Sequence, residues 1–376
     1  MKEQMDQVLK TAVGLGASDI HITVGKPPMA RRTGEMAALD KFPALTPEYC
    51  KRLIYGILSE AQQKDFESNL ELDCSYHIPG LCRFRVNVML QKNNVEGVLR
   101  VIPSKIPQAA EVGLSQPIMN FTNLPKGLVL VTGPTGSGKS TTLASLIDLI
   151  NATRKDHIIT VEDPIEFIYE PKSCVIRQRE VGADTHSFAA ALKHVLRQDP
   201  DIILVGEMRD LETISLAITA AETGHLVFAT LHTQDSAQTV DRIIDVFPPY
   251  QQQQVRVQLA NCLEGVVSQQ LLPKADGKGR VAAREVMMVT PAISNLIREG
   301  KTHQIYSAID TGAKFGMVSM DNAMLELVRQ RLITPEVAVS KSSNPESLRA
   351  RLGIPPPAGA QQAGVRPPGQ MPGRKI

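Results

Sequence analysis

Eight consecutive residues, Gly133-Pro134-Thr135-Gly136-Ser137-Gly138-Lys139-Ser140, carry the clearest chemistry in this chain. They match the pattern G-x-x-x-x-G-K-[ST], in which a glycine-rich loop brings backbone N–H groups against phosphate oxygens. Gly133, Gly136 and Gly138 let the backbone turn with no Cβ between it and the anion. Lys139 can then reach the β- and γ-phosphates of a nucleotide, and the Ser140 hydroxyl can ligate Mg²⁺. The β-branched apolar run over residues 128–132 predicts a strand leading into the loop. Leu143, Leu146, Ile147 and Ile150 fall at helical spacing after it, so the loop opens a helix whose N-terminal dipole faces the anion.

A phosphate loop needs acids nearby to place a metal and to activate water. Ligands of an open α/β sheet bind outside the carboxyl ends of its strands. Three further apolar runs, over 158–161, 202–205 and 226–230, predict strands of such a sheet, and polar residues follow each of them. Glu162-Asp163-Pro164-Ile165-Glu166 follows the first, Gly206-Glu207-Met208-Arg209-Asp210 the second, and Leu231-His232-Thr233 the third. Glu207 stands where a Walker B acid holds Mg²⁺ directly or through water, with Glu in place of the usual Asp. Glu162, Asp163 and Glu166 are the candidates for a water-activating base. His232 lies at a strand exit, where a γ-phosphate would be sensed, whereas His225 at the strand entry reads as a hydrogen-bonded structural residue. Neither has a Cys or second His at zinc-ligand spacing.

Residues 1–103 read as a separate α+β domain. Its most informative part is 82–102, where Cys82, Phe84, Val86, Val88 and Leu90 alternate with polar residues and Asn93-Asn94 supplies a turn. That turn would place Asn87 opposite Arg100 and set Arg83, Arg85 and Arg100 on one face. Such arginines are either solvated or a clamp delivered to a phosphate. The proline-punctuated stretch 104–120 reads as a linker, and 121–352 as the nucleotide domain with a small C-terminal helical subdomain. A strand is expected over 281–289, with helices over 291–299, 303–310 and 320–331. Residues 353–376, dense in Pro, Gly, Gln and Ala, read as a disordered tail.

Composition narrows the classes. The chain has 376 residues, 43% of them hydrophobic, with 41 Lys and Arg against 39 Asp and Glu. A net charge of +2, no Trp and only 4% aromatics leave neither the basic channel nor the stacking set of a nucleic-acid motor. Five scattered cysteines without a C-x-x-C pair argue for reduced thiols in a cytosolic compartment. No apolar run of eighteen residues and no signal-like segment is present, so a membrane role is expected to come through a partner.

Together the phosphate loop, Thr160-Val-Glu-Asp-Pro-Ile-Glu166, Asp199-Pro-Asp-Ile-Ile-Leu-Val-Gly-Glu-Met-Arg-Asp210 and Ala221-Glu-Thr-Gly-His225 through Thr230-Leu-His232-Thr closely resemble the secretion ATPase superfamily. Its members call these the Walker A, Asp box, Walker B and His box. Within it the chain is similar to the type IV pilus retraction ATPases from about residue 3 to residue 350. In their Pro291-Ala-Ile-Ser-Asn-Leu-Ile-Arg-Glu299 motif it carries Ser294 where Arg is usual.

The resemblance implies a RecA-like P-loop NTPase core, a PAS-like N-terminal α+β domain, a small helical C-terminal subdomain and a homohexameric ring using ATP and Mg²⁺. Residues 133–141 would bind the nucleotide, with Lys139, Ser140 and Thr141 on the phosphates and metal. Glu166 or Glu162 would activate water, and Glu207 would help place the metal. His225 and His232 would couple the nucleotide to neighbouring groups, and Arg83, Arg85 and Arg100 would reach the γ-phosphate. It further implies a cytoplasmic motor at the inner face of the membrane, acting on pilin through an inner-membrane platform protein, with no direct nucleic-acid partner. A pilus assembly or type II secretion ATPase is the alternative within the superfamily, but its tetracysteine zinc element is missing here.

Overall fold

The alternating pattern that predicts a half-buried hairpin builds the longest strands of an N-terminal antiparallel sheet. The computed structural model describes residues 1–32, 34–102 and 105–355. The sheet contains β1 (Asp19–Ile22), β2 (Met29–Arg32), β3 (Glu35–Ala38), β4 (Glu71–Ile78), β5 (Cys82–Gln91) and β6 (Asn94–Ile102), in the order β3-β2-β1-β6-β5-β4. Phe84, Val86, Val88 and Leu99 turn inward to Met5 and Leu9 of the first helix, Lys2–Gly14, and to Leu53 and Ile54 of the helix Pro47–Tyr55. The opposite face carries Arg83, Arg85, Asn87, Arg100, Asp19 and His21 together with Met89 and Val98.

The β5–β6 turn falls one residue earlier than its sequence suggests. Lys92 and Asn93 both take positive φ, 49° and 63°, the requirement of a two-residue turn matched to strand twist. Gln91 therefore pairs with Asn94, and Arg85, rather than Asn87, lies opposite Arg100. Asn87 faces Val98. The shift preserves parity, so Arg83, Arg85 and Arg100 still share the polar face.

The second sheet holds β7 (Gly127–Thr132), β8 (His157–Glu162), β9 (Val175–Glu180), β10 (Ile202–Val205), β11 (Leu226–Leu231), β12 (Leu263–Pro273) and β13 (Arg280–Met288). Its order is β13-β12-β7-β11-β10-β8-β9, parallel except for the β12–β13 pair. β7, β10 and β11 are buried at every position, as strands covered on both faces require. The helix Lys139–Thr153 covers one face, while helices including Leu211–Glu222 and Pro249–Cys262 cover the other. Two strands carried no usable sequence signal. β9 is a polar edge strand, and β12 follows its helix with no intervening turn residue.

The stretch read as a linker packs onto this second sheet from residue 106 onward. Leu114, Ile118 and Phe121 are buried against Val129, Val131, Leu143 and Leu146. Phe121 lies so close over Gly265 that a Cβ there would come 2.2 Å from its ring. The expected boundary at 103/104 and, from residue 356, the expected tail lie outside the described residues. Helices Met320–Arg329, Pro335–Lys341 and Pro345–Leu352 gather around Leu272, Ala283 and Leu348. Among the described residues no helix is long and apolar enough to cross a membrane.

Candidate nucleotide-binding site

Strand β7 ends at Thr132, and the chain turns at once through Gly133 (φ 140°), Gly136 (φ 77°) and Gly138 (φ 89°) into the helix beginning at Lys139. No other residue type holds such angles without strain. Gly133 is also closed sterically: a Cβ there would stand 2.2 Å from the Gln269 carbonyl oxygen and 2.7 Å from the Ser137 hydroxyl. The Ser137 hydroxyl is buried and has no hydrogen-bond partner among the described residues. Lys139 Nζ folds over the loop, donating to the Gly133 carbonyl at 2.8 Å and the Pro134 carbonyl at 3.3 Å. A glycine cradle, a lysine arched across it and a buried hydroxyl without a partner fit a bound phosphate chain.

The loop is braced from β12 by a residue outside every motif, Gln269. Gln269 Nε2 donates to the Ser137 carbonyl at 2.7 Å, and its Oε1 accepts from the Thr142 hydroxyl at 2.8 Å. Beside it Thr132 and Ser268 share a buried hydroxyl contact of 2.8 Å. The available signal is three consecutive polar residues, Ser268-Gln269-Gln270, between the apolar pairs Val266-Val267 and Leu271-Leu272.

Two acids lie within electrostatic reach of the lysine. Burial pushes the Lys139 ammonium below its usual value, against the opposing pull of Glu207 and Glu166. Glu207, after β10, is bonded by His232 Nε2 at 2.9 Å and Arg209 Nε at 2.6 Å. Its burial raises the carboxyl, but these two partners outweigh that and hold it below the usual range. Glu166 is exposed.

Glu162 behaves differently. It is buried, its Oε1 accepts from the Thr160 hydroxyl at 2.7 Å and Gln178 Nε2 at 3.1 Å, and burial lifts its pKa to about 7. The nearby Glu166 backbone N–H works against that burial and favours the charged carboxylate. Glu162 thus sits beneath the loop that carries Glu166.

Among the described residues no group of three or more His, Cys, Asp or Glu side chains could hold a metal. The candidate donors near Lys139 are instead one hydroxyl, Ser140, in the first helical turn, and the carboxylates Glu207 and Glu166. Mg²⁺ suits so sparse a set, because it retains waters and takes its remaining ligands from phosphates.

The three arginines separate. Arg83 Nη2 bonds Glu180 Oε2 at 2.7 Å and the Ser75 hydroxyl at 2.6 Å, so it is engaged within its own chain. Arg100 Nε pairs with Asp19 at 2.9 Å while remaining 68% exposed. Arg85 is exposed and has no hydrogen-bond or ion-pair partner among the described residues.

His225 does not join the site. It precedes β11 at the end opposite the phosphate loop, and the Gly127 N–H bonds to its carbonyl where β7 begins. Six residues of strand, roughly 20 Å, therefore separate it from Gly133. Its Nδ1 contacts the Ala220 carbonyl at 2.9 Å, which fastens the end of the helix Leu211–Glu222. Ser294, in the C-terminal motif, bonds the Ala260 carbonyl at 2.7 Å and locks its helix to the helix Pro249–Cys262.

A glycine-rich phosphate loop that leads from a buried parallel strand into a helix, with Lys139 folded across it, defines a P-loop nucleotide-binding protein. The chain belongs to the family described as Type II/IV secretion system protein, which matches residues 1–336. It is 51% identical over 341 residues to the type IV pilus retraction ATPase PilT of Pseudomonas aeruginosa, covering 91% of this chain and 98% of that one. It is 48% identical over 321 residues to a twitching motility protein of Neisseria gonorrhoeae, covering 85% and 86%. A crystal structure of the pilus retraction motor PilT with bound ADP superposes with a TM-score of 0.86 at 48% identity, covering 92% and 98%. The ATPase DotB of Legionella pneumophila gives 0.80 at 31% identity, covering 90% and 94%.

Proposed function

We propose that this chain is an ATP-hydrolysing motor that powers retraction of type IV pili, working as a ring of six copies at the inner face of the membrane. The observation that carries the reading is the phosphate loop itself, with glycines at positive φ and Lys139 folded over the Gly133 carbonyl at 2.8 Å. It is supported by relatives of this activity matched over nearly their whole length.

In this reading Lys139 and the N–H groups of residues 133–141 hold the phosphates. Ser140 and Glu207 would hold Mg²⁺, which would supply charge neutralisation for the phosphates. Glu166 is the base: it is solvent-accessible and close enough to Lys139 to feel its charge, whereas Glu162 is committed to Thr160 and Gln178. Glu166 takes the proton of the attacking water. Glu207, fixed by Arg209 and His232, keeps its charge throughout. Arg85 and Arg100 stand exposed on the N-terminal sheet, ready for the γ-phosphate of a neighbouring copy when the two parts of the chain close. The pull on pilin passes through an inner-membrane platform protein.

Purified chain should release phosphate from ATP with Mg²⁺, and Lys139→Ala should not. Deleting the gene should leave cells with excess pili and no twitching. Loss of pili would instead assign the chain to filament assembly.

A further inference from the structure

Arg284 on β13 is a half-buried cation with no carboxylate in contact among the described residues, and burial alone pushes its pKa down to about 10. Such a group is costly to desolvate, so its neutral partners indicate what it is for. Its Nη2 donates to the Val112 carbonyl at 2.9 Å and its Nη1 to the Gly113 carbonyl at 3.0 Å. Its Nε reaches Gln269 Oε1 at 3.3 Å. The same Gln269 grips the phosphate loop at the Ser137 carbonyl and the first helical turn at Thr142. One guanidinium therefore joins the segment that leads out of the N-terminal sheet to the amide that shapes the phosphate cradle.

We infer that Gln269 is a positioning residue for the phosphate loop, and that Arg284 makes its grip conditional on docking of residues 106–124. The amide has only one arrangement that serves every contact. Its NH₂ must face Ser137, so its oxygen must take both Thr142 and Arg284. If the Val112–Gly113 turn lifts, Arg284 loses two acceptors and follows it or turns to solvent. Gln269 Oε1 then keeps Thr142 alone, and the amide is free to rotate away from Ser137. Nucleotide affinity would fall when the segment undocks, and by linkage bound nucleotide would hold it down. The idea rests on the nucleotide reading above and adds to it a path between that site and the connecting segment.

The test is ADP binding to the full chain by calorimetry, with hydrogen exchange over 133–138 and melting temperature measured without nucleotide. Gln269→Leu and Arg284→Lys should each weaken ADP binding about tenfold, speed exchange of the loop, and move KM more than kcat. Thr142→Val removes one hydroxyl at the far end of the relay and should give a smaller effect of the same sign, which covers the case of a Gln269→Leu chain that does not fold. Leu114→Ala, which loosens the segment, should weaken binding in the parent chain but add nothing in Arg284→Lys. Variants that bind ADP as the parent does, with unchanged loop exchange, overturn the relay; so would full additivity of Leu114→Ala and Arg284→Lys. A parent chain that binds no ADP overturns the nucleotide reading itself, a distinct result.

Discussion

Arg83 and Glu180 meet at 2.7 Å, and through them the N-terminal sheet is tied to the loop that carries Glu166. Glu180 closes β9 and is buried, and the same Oε2 that takes Arg83 accepts the Ile165 N–H at 3.0 Å. Its Oε1 accepts the Ser75 hydroxyl at 2.8 Å. The position of Ile165, one residue before Glu166, thus depends on a carboxylate that is neutralised from the other sheet.

Removing Arg83 leaves that carboxylate buried without its counter-charge, a situation that costs about 3 kcal/mol. Arg83→Ala should therefore lower the melting temperature measurably, and Glu180→Gln added to it should cost little more. Additive losses in a double-mutant cycle would show the two side chains to be uncoupled.

Arg100 makes an exposed pair with Asp19, the kind worth under about 1 kcal/mol. Arg100→Ala should keep the parent melting temperature and ADP affinity while abolishing turnover. Arg85→Ala should behave likewise. Unchanged phosphate release in both would remove these arginines from the reaction.

Glu166→Gln should reduce kcat by roughly 10²- to 10³-fold with ADP binding preserved, as the loss of a general base requires. Glu162→Gln should act more weakly, through displacement of the loop. Single-turnover measurement at saturating ATP separates the two, and the reverse order would make Glu162 the base.

Glu162 also gives a pH signature. Its folded pKa of about 7 lies above its ordinary value, so the unfolded chain releases this proton first as pH rises. Stability from this group is complete below about pH 4.5, declines as pH climbs to about 7, and is then constant, a loss of up to roughly 3 kcal/mol. Relative to the parent, Glu162→Gln should be more stable at pH 8 than at pH 5 by a fraction of that amount. Melting curves at both pH values check it; an unchanged difference means that Glu162 is ionised throughout.

His232→Ala removes a partner of Glu207 and should lower kcat, whereas His225→Ala should leave ADP affinity of a single protomer unchanged, because it lies at the far end of β11. Equal losses in ADP affinity from both would contradict this placement.

The phosphate loop, four strands of the parallel sheet and the polar face of the arginines were legible because each rests on short-range pattern. Continuous β-branched runs mark covered strands, and glycines at fixed offsets mark the loop. Gln269, Arg284 and Glu180 were not legible, since their importance comes from partners more than ninety residues away. The hairpin turn sits one residue earlier than Asn93-Asn94 suggests, and the strand pairing is offset by two, because Lys92, ordinarily a poor left-handed residue, takes positive φ beside Asn93. The motif groups His225 with the site, whereas the fold sets it where β11 begins, at the end of the sheet opposite the phosphate loop.

Both cross-links to the phosphate machinery fasten at the margins of the seven-stranded sheet, Glu180 on β9 and Arg284 on β13, while the nucleotide loop springs from its middle. A marginal strand has one neighbour to release instead of two, so the rims can yield while the central plate stays stiff. Displacement of the N-terminal sheet would then reach the phosphate loop as leverage applied from two sides, and the central strands would not have to bend to receive it.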